Sequence, residues 1–133
     1  MDNKEQYVDF DTAKLLKKKG FNWRVHANYP VIGEYIGKRQ YLTNSVLRDT
    51  PRGTDFNWDD GAWISCPTQA MVCRWLREVH KLDIIIFHER LGNDFYWARI
   101  ETFPYVEHQQ EKEYATWEES CEAAIKYCLE KLV

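Results

Sequence analysis

The sequence predicts an α+β fold: a small antiparallel sheet with three helices packed on it, in the order α-β-β-α-β-β-α. Three observations predict it. Two segments, "PTQAMVCRWLREVH" from Pro67 and "TWEESCEAAIKYCLEKL" from Thr116, repeat apolar residues at spacings of three and four, as helices lying on a core do. Between them "IIIF", Ile84–Phe87, is a run of apolar residues rich in β-branching, the composition of a strand buried on both faces. Gly92-Asn93 then separates that run from "FYWARIETF", Phe95–Phe103, as in a hairpin over 84–103. A chain of 133 residues is expected to form a single domain, 1–133, with a long surface loop at 46–64.

The first helix is "DFDTAKLLKKKGF". Asp9 or Asp11 can cap it, and Lys17, Lys18 and Lys19 occupy the last turn, where the helix dipole favours cations. Gly20 suits the left-handed position that follows, and Phe21 can fold back on Leu16. Capping explains the lysine run without nucleic acid. Alternation of Tyr29, Val31, Gly33 and Tyr35, and again of Tyr41 and Thr43, predicts strands at 29–36 and 39–44 around a Gly37-Lys38 turn. "RDTPRGTDFNWDDG", Arg48–Gly61, is turn-rich.

The second helix is expected near Pro67, with Ser65 or Cys66 as its cap. At 100° per residue Val72, Trp75, Leu76 and Val79 share a face, Met71 lies at its edge, and Arg74, Arg77, Glu78 and Lys81 lie opposite. The doubly apolar Ile84–Phe87 strand implies cover on both sheet faces, by helices or by a second copy of the chain. "VEHQQEKEYA" is polar and reads as a loop. In the last helix Thr116 and Glu119 form a capping box, Trp117, Cys121, Ala124, Cys128 and Leu132 make an apolar stripe, and Glu118, Glu119, Glu122, Lys126 and Glu130 cover the other side.

Composition narrows the function classes. The net charge of −3 gives no positive footprint for general binding to double-stranded nucleic acid. The N-terminal sequence lacks the pattern of a signal peptide and no apolar run is long enough to span a membrane, so a cytoplasmic setting with reduced cysteines is expected.

No catalytic, cofactor-binding or metal-ligating residue is assigned. Cys66 and Cys73 are seven residues apart, as are Cys121 and Cys128. On one helix that spacing is roughly 10 Å, too far for two thiolates on one zinc with bonds of about 2.3 Å. The thiols therefore read as small hydrophobes of the core. His80 is two turns from Cys73, which leaves it as a helix-end dipole partner rather than a base. His88 and Glu89 have side chains suited to acid–base work, but successive strand residues point to opposite faces. Asp55, Asn57 and Asp59 mimic the start of a calcium loop, yet Asp60 and Cys66 stand where the loop needs glycine and a bidentate glutamate.

Aromatic residues make up 15% of the chain, and Trp23, Tyr29, Tyr35, Tyr41, Phe56, Trp58 and Trp63 crowd its first half. Packed together they are core; lining a groove they could stack a base or hold a partner segment.

"ISCPTQAMVCRWLREVHKLDIII" and "TWEESCEAAIKYCLEKLV" resemble a family of small proteins without an assigned activity, encoded by gut anaerobic bacteria and their phages or integrated elements. Asp11–Phe21, Pro67–His80 and Thr116–Leu132 carry the resemblance. It implies a cytoplasmic setting and a phage or mobile-element origin, and transfers no functional residues.

The resulting expectation is a non-enzymatic accessory or binding protein acting through a protein surface, with a host protein as partner and a homo-oligomer as a second option. The alternative is a binder of a small nucleotide or single-stranded nucleic acid, using aromatics with Lys38, Arg39 or Arg52. A hydrolytic enzyme using His88 or a cysteine ranks third. No cofactor is expected.

Overall fold

The computed structural model describes residues 6–30, 53–57, 63–102, 106–110 and 112–133. They form two compact units, one spanning Tyr7–Thr68 and the other Gln69–Val133 with Gln6, whose carbonyl accepts from the Gln69 amide at 2.8 Å. Among these residues three α-helices and two antiparallel sheets establish the α+β class and the expected element order, with one strand added near the C-terminus.

In the first unit α1 runs Phe10–Lys18. Asp9 caps it, its carboxylate accepting from the Thr12 amide at 2.8 Å. The other end closes as the sequence predicts. Gly20 takes φ +89°, the Phe21 amide donates back to the Leu16 carbonyl at 2.9 Å, and both side chains are buried. Strand β1, Asn28–Pro30, pairs antiparallel with β2, Trp63–Ser65. Trp63 and Ile64, expected in the surface loop, are thus strand residues, and Ile64 and Ser65 are buried. Residues 46–52 and 58–62 of that loop, most of the predicted 29–36 strand and all of the 39–44 strand lie outside the described residues.

Ser65 and Cys66 do not cap the next helix. The Ser65 hydroxyl accepts from the Phe56 amide, and the Cys66 amide donates to the Ala27 carbonyl. Sheet pairing has claimed both residues, and the helix starts at Gln69.

The second unit holds α2 (Gln69–His80), β3 (Leu82–Glu89), β4 (Phe95–Thr102), β5 (Val106–Gln109) and α3 (Trp117–Tyr127), which continues as a π-helical end over Cys128–Leu132. The strands form an antiparallel meander in the order β3-β4-β5. β5 lies where the sequence predicts a loop, because a polar segment can still pair its backbone with a strand that is buried on one side only.

Both helices pack on the sheet and on each other. Leu82, Ala98 and Ile100 share one face by pairing register and are buried, and His108 of β5 on that face approaches Tyr127 of α3. Gln69, buried at the start of α2, ties the helices together: its amide nitrogen donates to the Glu118 carbonyl (2.9 Å) and to Glu122 (2.8 Å).

Three expectations are corrected. Val79, placed on the buried face, is 50% exposed, in the last turn before Lys81 ends the helix at φ 59°. Trp117, placed on the apolar stripe, is 42% exposed, since the first turn of α3 is solvent-facing up to Ser120. Ile84–Phe87, expected to be buried on both faces, is half-buried throughout.

Candidate functional site

Among the described residues of this unit, the helices lie on one sheet face and no helix or strand packs on the other. Alternation along β3 and β4 and the pairing register place Asp83, Ile85, Phe87 and Glu89 beside Glu101, Arg99, Trp97 and Phe95 there, and β5 adds Glu107 and Gln109. At its centre the Phe87 and Trp97 rings stack, with centroids 4.3 Å apart and planes 14° from parallel. The Arg99 guanidinium lies 5.0 Å from the Phe87 centroid, extending the row.

The charges on this face do not balance. Asp83 pairs directly with Glu101, and Glu101 with Glu107, so three carboxylates form one cross-strand row. Like charges placed opposite each other destabilise a sheet. Arg99 offsets part of this through an ion pair with Glu101 at 3.0 Å. Its Nε is buried and has no hydrogen-bond partner among the described residues.

At the hairpin end the same face sinks into a hollow of about 370 Å³ lined by Glu89, Leu91, Phe95, Trp97, Gln109, Gln110 and Glu113. The chain makes the hollow by leaving β4 and returning to it. Gln110 donates to the Ala98 carbonyl, and Tyr114 pairs with Tyr96, so the segment between them is two residues longer than the stretch of β4 it passes. Such excess bends a strand outward and re-aims its side chains, here bringing Glu113 to the wall. The Trp97 indole N–H donates to Glu89 at 3.1 Å, which fixes the ring's orientation and one carboxylate together. The resulting wall has two aromatic rings, two carboxylates and two amides, a composition that suits a cation with an apolar stem.

The residues considered from sequence fall elsewhere. His88 is held on both nitrogens: Arg90 Nε donates to Nδ1 at 3.1 Å, and Nε2 faces Asp94. Its ring stacks on Tyr96 at 4.1 Å. It therefore braces the turn that carries Gly92 at φ +82°, and Glu89 points to the opposite face as expected. His80, expected as a dipole partner, lies in the last turn of α2 and packs its ring edge-on against Trp75 at 4.6 Å, and burial pushes its pKa down.

Asp55 and Asn57 hold a turn. The Asp55 carboxylate accepts from the Asn57 amide, while the Asn57 side chain donates to the Phe21 carbonyl and accepts from the Ser65 amide. Asp59, Asp60, Tyr35, Tyr41, Trp58, Lys38, Arg39 and Arg52 lie outside the described residues. Of the first-half aromatics, Tyr29 is core, its hydroxyl donating to the Val8 carbonyl at 2.9 Å, and Phe10 packs edge-on against it.

Cys66, Cys121 and Cys128 are buried as the sequence predicts, and burial raises the Cys128 thiol to about 12. Cys73 is half-buried, and its sulfur meets that of Cys121 across the two helices at 3.6 Å, a pairing invisible in sequence spacing. Among the described residues no three side chains are arranged to hold a metal ion, and no helix is long and apolar enough to cross a membrane.

No family model, curated protein or solved structure matches the chain.

Proposed function

We propose that the protein is a binding protein whose open sheet face takes a basic segment of a partner protein, with one lysine or arginine side chain of that segment seated in the hollow beside Trp97. The observation that carries this reading is the wall itself: Phe95 and Trp97 supply ring surface, and Glu89 and Glu113 supply charge, around one 370 Å³ space. The unbalanced row of Asp83, Glu101 and Glu107 extends the same preference along the sheet. A buried aromatic anchor ringed by polar groups is the usual energetic centre of a protein interface. Taken with the resemblance, the reading is of an accessory protein of a phage or mobile element that engages a host protein in the cytoplasm.

A nucleotide or single-stranded nucleic acid would find rings to stack on, but its phosphates would meet four carboxylates against one guanidinium on this face. The test compares fluorescein-labelled peptides bearing alternating Arg and Lys, the same peptides with Glu in those positions, and an oligothymidylate of matched length. Fluorescence anisotropy is expected to show saturable binding of the basic peptides alone, weakened by salt. Binding of the oligothymidylate in preference to the basic peptides would overturn the reading.

A further inference from the structure

Cys73 of α2 and Cys121 of α3 face one another on the side of the sheet away from the open face, at a sulfur–sulfur distance of 3.6 Å. Their place in the fold has no part in the binding reading above. The two helices pack directly, and packed helices keep axes roughly 8–10 Å apart with Cα atoms about 2.3 Å off each axis. Facing residues then have Cα atoms about 4–5 Å apart, at the short end of what a disulfide spans. Closing the sulfurs to a bond of about 2.05 Å needs a movement of about 1.5 Å, within reach of side-chain rotation.

The two thiols differ. Cys121 is fully buried, whereas Cys73 is half-buried and so is the more accessible of the two. As a thiolate Cys73 accepts a hydrogen bond from the Cys121 S–H, and this lowers its pKa. Arg77, one turn further along α2, favours the same charge, while burial and the Asp83 and Glu122 carboxylates oppose it. The remaining proton on Cys121 is held tightly, chiefly by that hydrogen bond and by burial. Cys128, the third thiol within electrostatic reach, stays protonated.

We infer that Cys73 and Cys121 form a peroxide-sensitive dithiol, with Cys73 as the thiol oxidised first and Cys121 as the resolving thiol. The Cys73 thiolate attacks the terminal oxygen of a hydroperoxide, an S–O bond forms and the O–O bond breaks. Sulfur is oxidised to the sulfenic acid, and the departing alkoxide, or hydroxide when the oxidant is hydrogen peroxide, takes up the proton that Cys73 gave to solvent on ionising and leaves as the alcohol or as water. Cys121 sulfur then bonds to Cys73 sulfur, the S–O bond breaks, and the hydroxyl leaves as water with the Cys121 proton. Two thiols and one peroxide thus give one disulfide, one alcohol and one water.

The test treats the reduced full chain with hydrogen peroxide, quenches with N-ethylmaleimide and maps the peptides by mass spectrometry. The expected product is two hydrogens lighter and carries a Cys73–Cys121 link, with Cys66 and Cys128 still alkylated after unfolding. In Cys121→Ser, dimedone is expected to trap a sulfenic acid at Cys73 that the wild-type chain does not accumulate. Failure to react, oxidation of Cys73 to the sulfinic acid without a link in the wild-type chain, or a link through Cys66 or Cys128 would overturn the inference. The wild-type map decides the matter even if the variant does not fold.

Discussion

The two faces of the β3-β4-β5 sheet are built from one hairpin by alternate residues, yet they are different surfaces. One presents Leu82, Ala98 and Ile100, all buried beneath α2 and α3. The other presents Phe87, Trp97 and Arg99, half-buried, with carboxylates at Asp83, Glu89, Glu101 and Glu107 around them. The first face is arranged for stability: small and branched apolar groups, Leu82, Ala98 and Ile100, fill space under the helices. The second sets like charges opposite one another and leaves large rings in partial contact with water. A fold gains nothing from setting those like charges opposite one another, whereas a surface that receives a cationic partner does.

Truncations should separate the faces, and the largest effect belongs to the covered one. Ile100→Ala removes a fully buried side chain and is expected to cost about 2–5 kcal/mol in urea unfolding. Phe87→Ala, on the open face and half-buried, should cost less, the lost ring pair contributing about 0.5–1.5 kcal/mol beyond the area the ring buries. Equal costs would erase the distinction.

Next in size is the anchor. Trp97→Ala is expected to weaken basic-peptide binding by about 2 kcal/mol, roughly thirtyfold, while Ile85→Ala on the same face changes it far less. Equal losses in the two variants would move the energetic centre away from the hollow.

The smallest effect concerns the helix side. Burial pushes the His80 imidazole below its ordinary value, so the unfolded chain takes up a proton more readily than the folded one. The stability tied to this difference is present above the unfolded value, near 6.5, and is lost as pH falls through it and on through the lower folded value. A shallow decline in unfolding midpoint from pH 7 to pH 5 is expected, flatter in His80→Gln. An unchanged slope in the variant would remove His80 from the account.

Much of this architecture was legible in sequence because local chemistry decided it. Asp9, Gly20 with Phe21, and Thr116 with Glu119 end or begin their helices as their residue types dictate, Thr116 accepting from the Glu119 amide at 3.1 Å. What failed was decided at a distance. Ser65 and Cys66 looked like caps until strand pairing with the segment around Ala27 claimed them. Strand β5 was missed because backbone pairing, not side-chain pattern, makes it.

The site itself was only half legible. The apolar Ile84–Phe87 run correctly signalled a strand, but the cover it implied on both faces is absent from the described residues, and Phe87 stands half-buried on the open face. The aromatics of the first half are the more conspicuous signal in sequence, yet Tyr29 among them is core. The useful signal was register: pairing Phe87 with Trp97 sets their rings on one side with Glu89, and one residue's slip would scatter them. The Cys73–Cys121 approach left no trace in spacing, because two helices far apart in sequence produce it.

The most direct test of the open-face account is an amide chemical-shift titration of the isotope-labelled chain with an arginine- and lysine-bearing peptide. The account predicts perturbations concentrated at Glu89, Phe95–Arg99, Gln109 and Gln110, with α2 and α3 unmoved. Perturbations confined to the helices, or none along the sheet at saturating peptide, would contradict it.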